Sequence, residues 1–163
     1  METLASYGVG GAVLELWLLR LTPKRRLIVT DYAPRTVERL EALLPEADVR
    51  RHDLLADPPL PADVHLFHRI DTELTNAQAH QVFRRFAAEA VLVVATEVAD
   101  AKRILLELRH RLRNRKQVTR AGWMRNRAAF EALFRKTHHA TPLRFHDLNA
   151  WALEPRVGRR RPA

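Results

Sequence analysis

Short apolar runs alternate with stretches of helical periodicity along most of this chain. "TLASY" at 3–7 reads as a strand, and "GAVLELWLLRL" at 11–21 as a mostly buried helix. "RLIVTD" at 26–31 is β-branched and ends in an acid, which predicts a second strand. In "APRTVERLEALLPEA" the apolar Val37, Leu40, Leu43 and Leu44 share one helical face. Pro34 suits the first turn of that helix and Pro45 ends it. A weaker strand is expected over 47–55, a turn-rich loop over 57–63, and a fourth strand over 63–70. Asn76 is placed to cap the next helix, whose Ala79, Val82, Phe83 and Phe86 face inward. "AVLVVATE" at 90–97 is a continuous apolar run, as in a parallel strand covered on both faces.

Ile104, Leu105, Leu108 and Leu112 mark a further helix, and Phe130, Leu133 and Phe134 the inner face of another near 126–135. "TPLRFHDL" and "NAWALEP" read as two closing strands. They lie too close in sequence for a crossover helix, so they should pair antiparallel. The alternation indicates an α/β fold: a three-layer, Rossmann-like parallel sheet with a C-terminal antiparallel strand pair.

Composition narrows the class. Hydrophobic residues make up 47% of the 163, enough for a core and against disorder. Residues 1–156 are expected to form a single domain, and the basic 157–163 a disordered tail. There is no cysteine, which excludes disulfides and thiolate chemistry and fits a reducing compartment. Residues 1–11 carry no Lys or Arg, so no signal-peptide n-region is visible. "AVLELWLLRL" is interrupted by Glu15 and Arg20 and is far short of the ~20 residues of a membrane span. A soluble cytoplasmic protein is the expectation.

The formal charge is +9, and basic residues crowd 102–127, where Glu107 is the one acid. Such a segment can meet phosphate. No aromatic residue interleaves with 102–116, so a solvated helix face is favoured over a nucleic-acid groove. The histidines at 138, 139 and 146 lack metal-ligand spacing, and no metal site is expected.

The candidate chemistry begins at "SYGVGG", residues 6–11. Glycines after a first strand let a ligand approach the backbone where a helix begins. Asp31 ends the second strand, 23 residues after Gly8 and 21 after Gly10. In a doubly wound sheet that spacing sets a carboxylate beside the first loop, where it accepts the hydroxyls of a ribose. The two motifs read together as a nucleoside half-site. A dinucleotide would use G-x-G-x-x-G, and Val13 stands at the third glycine of that frame. S-adenosylmethionine has no pyrophosphate and needs only close backbone approach.

With these motifs in place, the chain resembles the class I S-adenosylmethionine-dependent methyltransferases over nearly its whole length, as an N-terminally abbreviated member. "LASYGVGGA" resembles their first motif, "LIVTDYAP" the second strand with its ribose acid, and "VRRHDLL" the third-strand motif. "DVHLFHRID" occupies the fourth-strand position, and residues 126–155 resemble the closing helix and strand pair. The resemblance implies cofactor contacts from Tyr7, Gly8, Gly10, Gly11, Asp31, Tyr32, Asp53 and Leu54, with Asp53 toward the adenine amino group. Two positions depart from the pattern. Ser6 stands where the family most often carries an acid, and Ala12 at the third glycine. Family members usually have helices ahead of the first strand, whereas seven residues precede Gly8. A missing cover, a partner that supplies it, or a shortened start are the readings this leaves.

Methyl transfer needs alignment of nucleophile and sulfonium, and sometimes a base. "FHRIDTE" at 67–73 offers His68, Asp71 and Glu73 at the cofactor edge, with His68 the natural base and Asp71 its companion. Glu97 ends the fifth strand, where solvation at the loop end is favoured over orienting a substrate. Trp123 and Trp151 read as core or hairpin residues. The expected function is methyl transfer from S-adenosylmethionine to a small-molecule or glycan-type acceptor. Three rivals stand beside it. They are a non-catalytic domain of the same fold that binds a partner or dimerises, an RNA methyltransferase using 102–127, and a nicotinamide-dependent oxidoreductase.

Overall fold

The computed structural model describes residues 2–22, 24–96, 98–99 and 123–156, without 146–147, and of residues 100–122 only 102, 105, 106 and 109. Five parallel strands and an antiparallel pair form one seven-stranded sheet. They are β1 (Thr3–Tyr7), β2 (Arg26–Asp31), β3 (Asp48–Arg51), β4 (Val64–His68), β5 (Val91–Val94), β6 (His138–Phe145) and β7 (Leu148–Pro155). The order across the sheet is β3-β2-β1-β4-β5-β7-β6. The helices are α1 (Val13–Leu21), α2 (Pro34–Leu43), α3 (Asn76–Arg85) and α4 (Arg127–Ala132). β7 runs antiparallel to both β5 and β6, as the short connection requires.

Alternation along the strands divides the core in two. Tyr7, Ile28, Phe67, Val91 and Val93 face α3 and α4, where Phe83, Phe86, Phe130, Phe134 and Trp151 complete an aromatic cluster. Trp151 stacks on Phe130 at 4.9 Å, and its indole N–H donates to Glu131 Oε1 at 3.1 Å. On the opposite face Leu27 and Val29 meet Leu40 of α2 and Leu44 just after it, with Leu16 and Leu19 of α1 beside them.

Several expectations change in detail. β3 stops at Arg51, because the Asp53 carboxylate accepts the Leu55 N–H at 2.8 Å and turns the chain. The cap of α3 is Thr75, in a reciprocal capping box with Gln78, and not Asn76. Among the described residues β5 is fully covered on one face: Val91 and Val93 are buried, while Leu92 and Val94 are half-buried. α1 is less buried than its composition suggests, with Val13, Trp17 and Leu21 more than half exposed. Trp151 is in the core, but Trp123 is half exposed. Of the 104–112 helix, the described residues 105, 106 and 109 are helical, and Leu105 is exposed. Glu97, most of the Arg-rich segment and the 157–163 tail lie outside the described residues. No helix among the described residues is long and apolar enough to cross a membrane.

His138 is fully buried at the start of β6, with Nε2 3.1 Å from Phe86 O and 3.2 Å from Glu89 O. Burial pushes its pKa below the ordinary value, although both carbonyls favour the charged ring. His52 shifts the same way, again chiefly through burial. A histidine depressed in the folded state stabilises the fold above its unfolded value of about 6.5 and loses that contribution as pH falls toward its folded value. Asp48, held near 2 by Arg50 and Arg26, titrates below this window. The urea midpoint should therefore fall between pH 7.5 and 5, less steeply in His138→Gln. A midpoint constant across that range in the wild type would contradict this assignment.

Candidate active site

The strand order reverses beside β1: β2 lies on one side and β4 on the other, both parallel to it. Crossovers leave in opposite directions there and open a crevice at the carboxyl ends of the strands. Gly8–Ala12, which joins β1 to α1, forms the floor of that crevice. Gly8, Gly10 and Ala12 all have positive φ, at 65°, 52° and 59°. At Gly8 a Cβ would stand 2.6 Å from Ile70 Cγ2, so glycine is required there by both conformation and contact. At Gly10 and Gly11 a Cβ would meet nothing within 4 Å. That side of the turn opens on free space. Ala12 occupies a left-handed position that glycine fills at less cost, and its methyl group is buried against the α2 side of the core.

Asp31 is brought to this turn. Its Oδ2 accepts the Gly10 N–H at 3.3 Å, and its Oδ1 accepts the Ala33 N–H at 2.9 Å. A carboxylate has more lone pairs than these two bonds use. Arg39 closes the turn from α2 by donating to Gly10 O at 2.6 Å. Tyr32, 70% exposed, leaves its ring free, while its carbonyl accepts from Arg51. Asp53 lies at the neighbouring strand end, where His52 N–H donates to Asp31 O at 3.0 Å. Asp53 is exposed, and Leu54 packs half-buried on the aromatic core. Thus the glycines, Asp31, Tyr32 and Asp53 line one edge.

The Tyr7 side chain points away from this edge. It is buried in the aromatic core, its hydroxyl 3.0 Å from His65 Nδ1 and accepting the Leu60 N–H. Burial raises its pKa to about 12. Only the Tyr7 backbone reaches the turn.

His68 ends β4, half-buried, on the sheet face that carries α1. It closes one end of an apolar groove of about 340 Å³ between α1 and β4, β5 and the closing hairpin, lined by Leu14, Leu18, Leu66, Leu92 and Val94. Burial lowers the His68 pKa; Glu15 raises it in part, Arg69 lowers it, and Asp71 raises it. Asp71 is engaged elsewhere. Its Oδ1 accepts from both the N–H and the hydroxyl of Thr96 at 2.8 Å, tying the loop after β4 to the end of β5. Arg69, between them, has φ of 60°, a strained conformation for a side chain of that size.

Four contributors carried no clear signal in the sequence. Arg39 and Thr96 lie far in sequence from what they hold. Arg125 belongs to the basic segment, yet it is buried and donates to Asn76 Oδ1 and the carbonyls of Asp71 and Leu74. Glu15, the single acid of an apolar helix, is buried and accepts from Ser6 Oγ at 2.7 Å. That lone acid was the available hint. Among the described residues no group of three or more His, Asp or Glu is arranged to hold a metal ion.

No protein-family model matches the sequence, and no curated protein is significantly similar to it. Solved structures do match. Human N-acetylserotonin methyltransferase, solved with S-adenosylmethionine, is 17% identical with a TM-score of 0.73, over 94% of this chain and 47% of that one. PigF, solved with S-adenosylhomocysteine, is 15% identical with a TM-score of 0.75, over 94% and 50%. An O-methyltransferase family 2 protein from Planctomyces limnophilus, solved with apigenin, is 13% identical with a TM-score of 0.73, over 94% and 50%. The chain spans about half the length of these proteins. Identity this low establishes architecture and leaves activity to be argued from the site. The chain has the seven-stranded fold of the class I S-adenosylmethionine-dependent methyltransferases.

Proposed function

We propose that this chain binds S-adenosylmethionine and carries out methyl transfer to a small-molecule acceptor, of the kind that includes glycan precursors. The observation that carries the reading is the Gly10–Asp31 hydrogen bond at the strand-order reversal. It puts a carboxylate with spare acceptor capacity against a turn that is open at Gly10 and Gly11. The residues fit the cofactor. Asp31 would take the ribose hydroxyls, Asp53 the adenine amino group, Tyr32 would lie against the nucleoside, and the glycines would admit its backbone-facing side. When bound, S-adenosylmethionine supplies an electrophilic methyl group. The chain's residues then align and exclude water.

His68, the residue proposed to accept the acceptor's proton, stands at the end of the groove. Its lowered pKa keeps it in the free-base form at neutral pH. The groove volume falls within the range of small-molecule sites. Asp71 acts on His68 only through its charge and through the loop it holds. The fold neighbours solved with S-adenosylmethionine and S-adenosylhomocysteine support this cofactor, and the one solved with apigenin supports a small-molecule acceptor.

A second reading, a partner-binding module without activity, is favoured by the exposed apolar stripe Val13, Trp17 and Leu21 on α1. Cofactor binding separates the two. An RNA acceptor finds less support: Arg125 is internal, and Arg127 pairs with Glu131 at 2.9 Å.

Calorimetric titration should give binding of S-adenosylmethionine and S-adenosylhomocysteine and none of NAD. Asp31→Asn, which keeps an acceptor for Ala33 N–H, should weaken both by roughly 10- to 100-fold, the worth of hydrogen bonds to a charged group. Gly11→Ala meets no protein atom, so it should leave the melting temperature unchanged and weaken binding. Binding unaffected by both substitutions would contradict the site. For His68, an NMR titration of the ring protons should give a midpoint below the unperturbed value of about 6.5. A midpoint above it would remove His68 as the neutral base.

A further inference from the structure

The groove that ends at His68 has a lining that restricts what it can hold. Its floor is one face of the sheet, selected by alternation along β1, β4 and β5. Leu4 lies beside Val64, Leu66 beside Leu92, and His68 beside Val94, in three rows from the amino edge of the sheet to the carboxyl edge. Leu14 and Leu18 of α1 wall one side. Ala150, paired with Val94, and Leu143 beyond it wall the other. Among the described lining residues, polar side chains stand only at the two ends. His68 is at the carboxyl edge, and the Glu2–Arg25 ion pair, at 2.9 Å, is at the amino edge. Every lining side chain between them is aliphatic.

This lining discriminates among occupants. A sugar would set its hydroxyls against aliphatic walls, and each one left without a partner weakens binding by about fivefold or more. No aromatic side chain among the described lining residues offers a face to a fused ring system. A helix with its side chains is ~10–12 Å across, wide for a space of about 340 Å³ drawn out along β4. A single extended hydrocarbon chain fits. Val64 to His68 is four strand steps, about 13 Å. An extended chain advances about 1.2 Å per bond, so roughly ten to twelve carbons span that length.

We propose that the groove takes the aliphatic chain of the methyl acceptor, a linear lipid-like alcohol of roughly ten to twelve carbons whose hydroxyl lies at His68. This rests on the function proposed above and narrows its acceptor class from glycan-type molecules to hydroxyl-bearing aliphatic ones. In the transfer the acceptor oxygen forms its bond to the methyl carbon. The carbon–sulfur bond breaks with its electron pair going to sulfur, and the hydroxyl proton goes to a ring nitrogen of His68.

The probe is 1-decanol, with 1-hexanol, 2-naphthol and methyl glucoside as comparisons, titrated into chain isotope-labelled at its Leu and Val methyl groups. Decanol should give saturable shifts at Leu14, Leu66, Leu92 and Val94, and none at Leu40, which packs in the core under α2. Affinity should rise about two- to fourfold per methylene from hexanol to decanol, the upper figure being the worth of a fully buried CH₂. Naphthol and methyl glucoside should bind more weakly than decanol. Leu92→Phe, which narrows the middle of the groove, should weaken decanol binding by about fivefold or more and leave S-adenosylhomocysteine affinity within about twofold.

Affinity that does not grow with chain length, or decanol binding unaffected by Leu92→Phe, would overturn the proposal. So would groove methyl signals that shift with protein concentration alone, which would make the groove a contact between copies of the chain. Should Leu92→Phe fail to fold, the chain-length series in the wild type decides alone. Wild-type chain that binds S-adenosylhomocysteine and not decanol overturns the acceptor class. Wild-type chain that binds decanol and not S-adenosylhomocysteine would instead overturn the cofactor reading.

Discussion

A parallel sheet whose strand order reverses must leave an open edge where it does so, and here that edge falls between β1 and β4. The glycine turn, Asp31, Asp53 and His68 take their places from this constraint. β1 is hydrogen-bonded along its length to β2 and β4, which brings the ends of those strands level with the glycine turn. Parallel pairing then delivers Asp31, Asp53 and His68 to one edge from positions spread over 37 residues (31 to 68). Gly8 sustains the geometry, because no other residue fits both its positive φ and the closeness of Ile70.

The sheet's two faces carry different burdens. The aromatic face is closed by α3, α4 and the stacked Phe130–Trp151 pair, which anchors the antiparallel hairpin. Among the described residues the other face is closed by α1 and α2 over β1–β3 and open over β4 and β5, where the groove ends at His68. Rigidity on one side and open space on the other, meeting at the glycine turn, is the arrangement a binding edge needs. Buried polar groups mark the boundary. Ser6 with Glu15, and Asp71 with Thr96, fix the loops over each strand end by hydrogen bonds that packing alone would not specify.

The strands and the place of Asp31 beside the glycine turn were legible because their signals are local. "RLIVTD" carries its β-branched run and its terminal acid in six adjacent residues, and the observed β2 has the same bounds. What failed to show depended on long-range geometry. Thr75 and Asn76 are both good caps, and the backbone at the end of the preceding loop decides between them. The aromatic residues Trp123 and Trp151 look alike in sequence, yet only one lands opposite Phe130. Tyr7 alternates onto the core face, as strand period dictates, so its ring leaves the glycine edge. Glu15 reaches Ser6 only because of how α1 rolls on the sheet, and Arg125 left the basic segment to become a buried clamp. Neither contact is encoded in spacing.

The central claim is that the strand-order reversal at β1 holds an adenosyl ligand. Amide chemical-shift mapping of isotope-labelled chain during titration with S-adenosylhomocysteine tests it directly, residue by residue. The account predicts saturable changes centred on Gly8–Ala12, Tyr32–Ala33 and Asp53–Leu55, with the amides of β6 and β7 unmoved. Changes centred on the closing hairpin, or none at saturating ligand, would contradict it.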